Sequence, residues 1–284
     1  MMLFTTAHDY VRELQCAIEA TRKAGAFIRK HAGSVSEKAV RDKGTHDLVT
    51  FVDEEAERII QTHLEKHFAD YEMLGEEGAD GDIRAAVEGK RWIVDPLDGT
   101  TNFNHSVPPY AVSIALQDRG ELVLGVVYDV AHDEMFSAIK GVGATLNGKP
   151  IGVSETTALG ESLIATGFPF RDYRYVEGYL ETFERVMRGT RGIRRHGAAA
   201  VDLAWVACGR FDGFFEAGLA PWDLAAGIVL IEAAGGVVSG LPEGTNPTFD
   251  GGIVAANPAI HGILVDMAYP LGKHYGKNVL GMDT

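Results

Sequence analysis

Cysteine is nearly absent: Cys16 and Cys208 are the only two in 284 residues. They form no C-x-x-C and both sit in apolar helical stretches, so the zinc and redox readings find little support and core thiols are expected. Long hydrophobic runs are missing too. The longest, Leu224 to Ile231, is bracketed by Asp223 and Glu232 and falls far short of the roughly 20 residues that span a bilayer. The start of the chain, MMLFTTAHDY, has no basic region ahead of an apolar stretch, so no secretory signal is read and a cytoplasmic, non-membrane protein is expected. Positive charge is scarce. Against 40 Asp and Glu stand 26 Lys and Arg, a net charge of -14 that repels a phosphate backbone, so no direct nucleic-acid binding is expected. A small anion could still bind where cations reverse the sign inside one cleft.

What is present describes an ordinary folded chain, 46% hydrophobic and 23% charged, with 34 glycines that imply many tight turns. Its length suits one large domain or two intimate subdomains. Between Tyr10 and Ile28 the spacing of Val11, Leu14, Ala17, Ile18, Ala24 and Phe27 predicts an amphipathic helix. The polar SVSEKAVRDKGTHD reads as a loop. It leads into DLVTFVDEEAERIIQTHLEKHF, where Thr50 can cap a helix, the acids at 53 to 55 suit its positive end, and Val52, Ala56, Ile59, Ile60 and Leu64 form an inner stripe. On that helix His63 and His67 stand four apart without an H-E-x-x-H pattern, and a solvated face is expected. YEMLGEEG and RWIVDPLD read as strands ending in acidic turns, followed by an antiparallel meander. Asn147-Gly148 marks a junction between an N-terminal half, 1–145, and a C-terminal half, 146–284. After Glu155 strands and helices alternate as far as GIVAAN, an α/β pattern in which Trp205, Phe211, Phe214 and Phe215 belong to the core.

The segment WIVDPLDGTTNF, residues 92 to 103, ends an apolar strand with Asp95 and Asp98. Two carboxylates that close repel, and a hard cation such as Mg²⁺, which takes carboxylate oxygens, water and a substrate phosphate, would compensate them. Gly99, Thr100, Thr101 and Asn102 follow. A short helix capped by Asp98 would aim free N–H groups at an incoming anion. Other acids at strand ends or helix starts are Asp47, Glu76 and Asp223, each on its own as ordinary as any turn acid.

DLVTFVD, GEE, WIVDPLDGTTNF, GVGATLNG, RRHGAAAVDLAWVACGRFDGFFE and PWDLAAG occur in this order over most of the chain, and with them the sequence resembles the inositol monophosphatase family, nearest to its bacterial inositol-1-monophosphatases. The resemblance implies an α/β and α+β layered sandwich (αβαβα) of the sugar phosphatase type. It implies two or three Mg²⁺ ions on Glu76, Asp95, the Leu97 carbonyl, Asp98 and Asp223, with Li⁺ inhibitory. Asp47 and Thr100 would together activate the attacking water. Gly99 and Thr100 would hold the phosphate beside Leu97, Asp98 and Asp223, while Gly197, Ala198, Ala199 and Glu216 would meet the substrate's hydroxyls. Arg194 would order Glu216 or reach a second anionic group, or else serve as a surface or dimer-contact arginine. Ala198, where relatives often have Ser or Thr, and His196 leave the leaving group open. The expected substrate is a small phosphorylated polyol or sugar, inositol monophosphate first. Fructose-1,6-bisphosphate, histidinol phosphate, NADP and 3′,5′-bisphosphate nucleotides stay as alternatives, and a regulatory binding protein with a protein partner is the alternative of another class. Family habit implies a homodimer.

Overall fold

The computed structural model describes residues 10–33, 40–44, 47–78, 83–84 and 88–282, with side chains for all of these except 40–44 and 47–50. Helix α1 (Val11–His31) is followed by an antiparallel pair, β1 (Val40–Gly44) and β2 (Asp47–Thr50), and by α2 (Phe51–His67). The stretch expected to be a loop thus carries β1 and the first residue of β2. Its residues 34–39, 45 and 46 lie outside the described residues. Cys16, Ala17, Ala20, Ala24 and Ile28 of α1 are buried, as are Val52, Ala56, Ile60 and Leu64 of α2, at the three- and four-residue spacing that turns one face of a helix inward. His63 belongs to that face and is buried, contrary to the expected solvated position, while His67 is exposed. Cys16 is buried and Cys208 partly so.

These helices cover a seven-stranded sheet: β3 (Glu72–Gly75), β4 (Lys90–Asp98), β5 (Ala111–Asp118), β6 (Glu121–Asp129), β7 (Glu134–Ile139), β8 (Gly143–Leu146) and β9 (Lys149–Ile151), in that spatial order. A short α3 (Thr100–Asn104) separates β4 from β5. Apart from the parallel β3–β4 pair, neighbours are antiparallel, which is the expected meander. The chain goes on through β10 (Leu163–Thr166), α4 (Val176–Gly189), β11 (Gly192–Arg194), α5 (Ala199–Ala207), β12 (Gly213–Ala217), α6 (Pro221–Ala233), β13 (Val237–Gly240), α7 (Pro247–Asp250), β14 (Gly252–Ala256) and α8 (His261–Asn278). Its five strands form a second sheet in the order β11-β10-β12-β14-β13.

Helices α5 and α6 lie between the sheets. One core joins Ile93 and Phe136 of the first sheet, Leu203 and Leu224 of the helices, and Phe214 and Ala255 of the second sheet. The αβαβα sandwich follows, with α4 and α8 on the far face. The first sheet runs on to Ile151, so the expected division at 145/146 falls inside β8 and the halves share their core. Gly125 of β6 permits this closeness: a Cβ there would lie 2.5 Å from the Ala226 carbonyl of α6. No helix among the described residues is long and apolar enough to cross a membrane.

Candidate active site

In a regular strand residues three apart face opposite sides. Between Asp95, opposite Ser113, and Asp98, opposite Ala111, three steps of β4 match two of β5. The extra residue is a bulge, and it turns both carboxylates to one side. Pro96 suits the bulge because it has no N–H to leave unpaired. Leu97 anchors the turn in the core at 1% exposure, and its N–H donates to Asp95 Oδ1 at 2.9 Å. Asp98 does not cap α3 as expected. The cap position is Gly99, and Asp98 Oδ2 instead accepts from the Ala200 N–H at 2.9 Å, in the first turn of α5. Gly99 is required, since its φ is +86° and a Cβ would sit 3.2 Å from both the Ala198 Cβ and the Pro109 carbonyl.

Asp223 arrives from the other side, as the third residue of α6, where its Oδ2 accepts from the Ala220 N–H at 2.7 Å. Asp95, Asp98 and Asp223 each offer an oxygen within 4.8 Å of the others. Burial, then Asp223, pushes Glu76 up to about 8; burial, then Asp223, does the same to Asp98. Asp95 lies well above the usual carboxylate range through burial, then Glu76 and Asp98. Like charges this close at low exposure call for a cation, and an all-oxygen donor set suits a hard one.

Thr100 Oγ1 lies 2.8 Å from Asp53 Oδ1 and 3.1 Å from the Leu97 carbonyl oxygen. With one proton to give, it favours the carboxylate. The expected pairing of Thr100 with Asp47 is therefore corrected to Asp53. Asp47 begins β2 across from Gly44, and its side chain lies outside the described residues. Asp53 is 1% exposed, in the first turn of α2. The signal for it was polar residues on the buried face: Asp53 and Glu57 share a side with Ile60 and Leu64.

The carboxylates floor a cavity of about 380 Å³. Glu76, Leu97, Gly99, Thr100, Gly197, Ala198, Ala199 and Glu216 all line it, so the expected site residues are brought together from both halves, with two exceptions. One is Asp47. The other is Arg194, an exposed residue whose guanidinium donates to the Ile193 carbonyl; its neighbour Arg195 lines the cavity instead. The Arg195 guanidinium rests over Phe168 and Phe170, 5.1 and 5.4 Å from their ring centres. Since β11 ends at Arg194, the alternation of a strand would have assigned adjacent arginines to different sides. His196 does not line the cavity. Its Nδ1 meets Asp202 Oδ1 at 2.9 Å, its ring packs on Trp205 and Phe211, and its carbonyl accepts from Asn102 Nδ2 at 2.7 Å. It holds the Gly197–Ala199 loop against α3.

The profile of the inositol monophosphatase family matches residues 9–269. The chain belongs to the inositol monophosphatase family. It is a phosphatase, a phosphoric monoester hydrolase. The phosphatase is 44% identical over 247 residues to the inositol-1-monophosphatase of Rhizobium meliloti, covering 87% of this chain and 92% of that one. It is 41% identical over 247 residues to the Nus factor SuhB of Escherichia coli, with the same coverage. The crystal structure of extragenic suppressor protein suhB from Bartonella henselae matches it with a TM-score of 0.85 at 40% identity, over 90% of this chain and 98% of that chain. The layered fold of the phosphatase is thus that of its solved relatives.

Proposed function

We propose that the phosphatase hydrolyses a small polyol phosphate with Mg²⁺, inositol monophosphate being the first substrate to test. The observation that carries this reading is the bond from Thr100 to the buried Asp53 beside three carboxylates whose oxygens lie within 4.8 Å. Glu76, Asp95, Asp98, Asp223 and the Leu97 carbonyl would hold two or three ions. When bound, Mg²⁺ supplies positive charge that polarises the phosphoryl group and favours ionisation of water. The chain does the rest. Thr100 Oγ takes a proton from the attacking water as its own passes to Asp53, and the N–H groups of Gly99 and Thr100 receive the phosphate oxygens. Water's oxygen bonds to phosphorus, the ester bond breaks, and the alcohol leaves with a proton from solvent.

Glu216 gives the cavity its preference for hydroxyls. Burial, then Asp202 and Asp223, holds its carboxyl well above the ordinary range, and a hydroxyl-rich ring offers it hydrogen bonds that an aryl ester lacks. Arg195 on the Phe168–Phe170 surface would favour a second anionic group. A binding protein on this fold has no use for a cavity-lining hydroxyl bonded to a buried carboxylate, which favours catalysis over a role of the kind named for the E. coli relative. The test is phosphate release from inositol monophosphate, fructose-1,6-bisphosphate, histidinol phosphate, NADP and a 3′,5′-bisphosphate nucleotide, with Mg²⁺, with added Li⁺ and with EDTA. Mg²⁺-dependent, Li⁺-inhibited release, fastest from inositol monophosphate, is expected. Full turnover in EDTA would overturn the metal assignment, and release from none of the five would overturn the substrate class.

A further inference from the structure

Along α1 and α2, which cover the face of the first sheet turned away from α5 and α6, three side chains that the phosphatase reaction does not use come together. Cys16 faces inward from α1, and His63 and His67 stand one turn apart on α2. The Cys16 Sγ and one ring nitrogen of each histidine lie within 4.8 Å of one another. The two rings are 5.0 Å apart and tilted by 59°. His63 is only 7% exposed, and its Nε2 has no hydrogen-bond partner among the described residues. The Glu19 carboxylate stands 3.5 Å from it, too far for a good hydrogen bond. A polar atom left bare in the core invites a partner.

We propose that Cys16, His63 and His67 form a second metal site, for a borderline-soft ion of the zinc type. Thiolate and imidazole select such an ion over Mg²⁺, which prefers oxygen. Glu19 or a water completes a four-ligand shell. Zinc holds sulfur at about 2.3 Å and nitrogen at about 2.0 Å, so the three donors must draw somewhat closer, which the exposed His67 can do by changing rotamer. In the metal-free protein Lys23 Nζ donates to His63 Nδ1 at 2.7 Å, leaving the ring proton on Nε2. Binding moves that proton to Nδ1 as the exposed Lys23 swings into water. The Cys16 S–H bond is exchanged for a sulfur–metal bond, and its proton is released to solvent. The site is separate from the catalytic one: Asp53 precedes His63 by ten residues of α2, about 15 Å along the axis.

The test uses Co²⁺ as a spectroscopic stand-in for zinc, added to the full metal-stripped chain in excess Mg²⁺ that keeps the carboxylates occupied. One equivalent of Co²⁺ should give a thiolate-to-cobalt charge-transfer band and the visible bands of a tetrahedral ion, both abolished by zinc. His67→Gln alters an exposed residue and should fold normally; it should weaken Co²⁺ binding about tenfold or more, since losing even an outer-shell partner costs 10- to 100-fold. Lys23→Met should tighten binding by removing a competing cation. Cys16→Ala should abolish the charge-transfer band. Absence of that band in the folded parent protein, or its persistence in His67→Gln with unchanged affinity, or in Cys16→Ala, would overturn the site.

Discussion

A hydroxyl held 2.8 Å from a buried carboxylate helps a hydrolysis by passing a proton on, and that role has a kinetic signature. General-base assistance is worth about 10²- to 10⁴-fold, so Asp53→Asn and Thr100→Val should each lower kcat within that range at saturating substrate and Mg²⁺. Their effects should not multiply, because residues acting as one unit are strongly non-additive. Multiplying losses in the double variant would separate the two roles. Glu216→Gln probes the other end of the cavity: turnover of inositol monophosphate should fall while that of a small aryl phosphate holds, and equal losses would make Glu216 structural. At this scale the sequence was legible wherever a motif fixed its own geometry. Asp95 and Asp98 are separated by a proline bulge, and Asp223 follows a helix-starting proline. Asp53 was hidden because an acid in a helix's first turn has a sufficient local explanation in the helix dipole. Only its tertiary neighbour Thr100 reveals the other one.

Among the elements, those with one apolar face announce it in their periodicity, whereas those buried on several sides, or carrying an internal proline, do not. Helix α6 is apolar all round because it packs against both sheets, so length rather than periodicity marks it as a helix. Helix α8 was missed altogether. Pro270 lies within it, and the Leu271 N–H donates to the Thr182 hydroxyl on α4 at 3.1 Å, a bond no local pattern announces. Gly178 of α4 allows that approach, since a Cβ there would lie 2.5 Å from the Pro270 carbonyl. The β4–α3 junction gives the prediction that belongs to this scale. Gly99→Ala forces a side chain into the left-handed region, at about 1–2 kcal/mol, and presses it against Ala198 and Pro109. The midpoint of urea unfolding should fall with an unchanged slope. An unaltered midpoint would mean that the junction relaxes freely.

Across the whole molecule, two sheets joined by one core aim acids from both at a common cavity, and a chain of net charge -14 gathers negative charge where solvent is scarce. That arrangement taxes the metal-free fold in a pH-dependent way. Glu76 and Asp98 are pushed up to about 8 by burial and by Asp223, whereas in the unfolded chain they titrate near about 4. Between these values the folded state holds more protons than the unfolded one. Stability contributed by these groups is therefore fully present below about pH 4 and is lost as the pH rises through about 8. In EDTA, the melting temperature should accordingly decline from about pH 6 to about pH 9. Mg²⁺ acts oppositely, because it binds the ionised carboxylates of the folded state and stabilises by mass action. Protons compete with it less as the pH rises, so the gain in melting temperature on adding Mg²⁺ should grow over the same interval. Asp98→Asn removes one of the two titrating groups and one oxygen donor, and it should flatten the EDTA profile while shrinking the Mg²⁺ gain. Scanning calorimetry of both proteins, with EDTA and with Mg²⁺ across that range, measures all four profiles. A Mg²⁺ gain that is constant with pH, or an EDTA profile that climbs, would show that these carboxylates are already compensated in the metal-free fold.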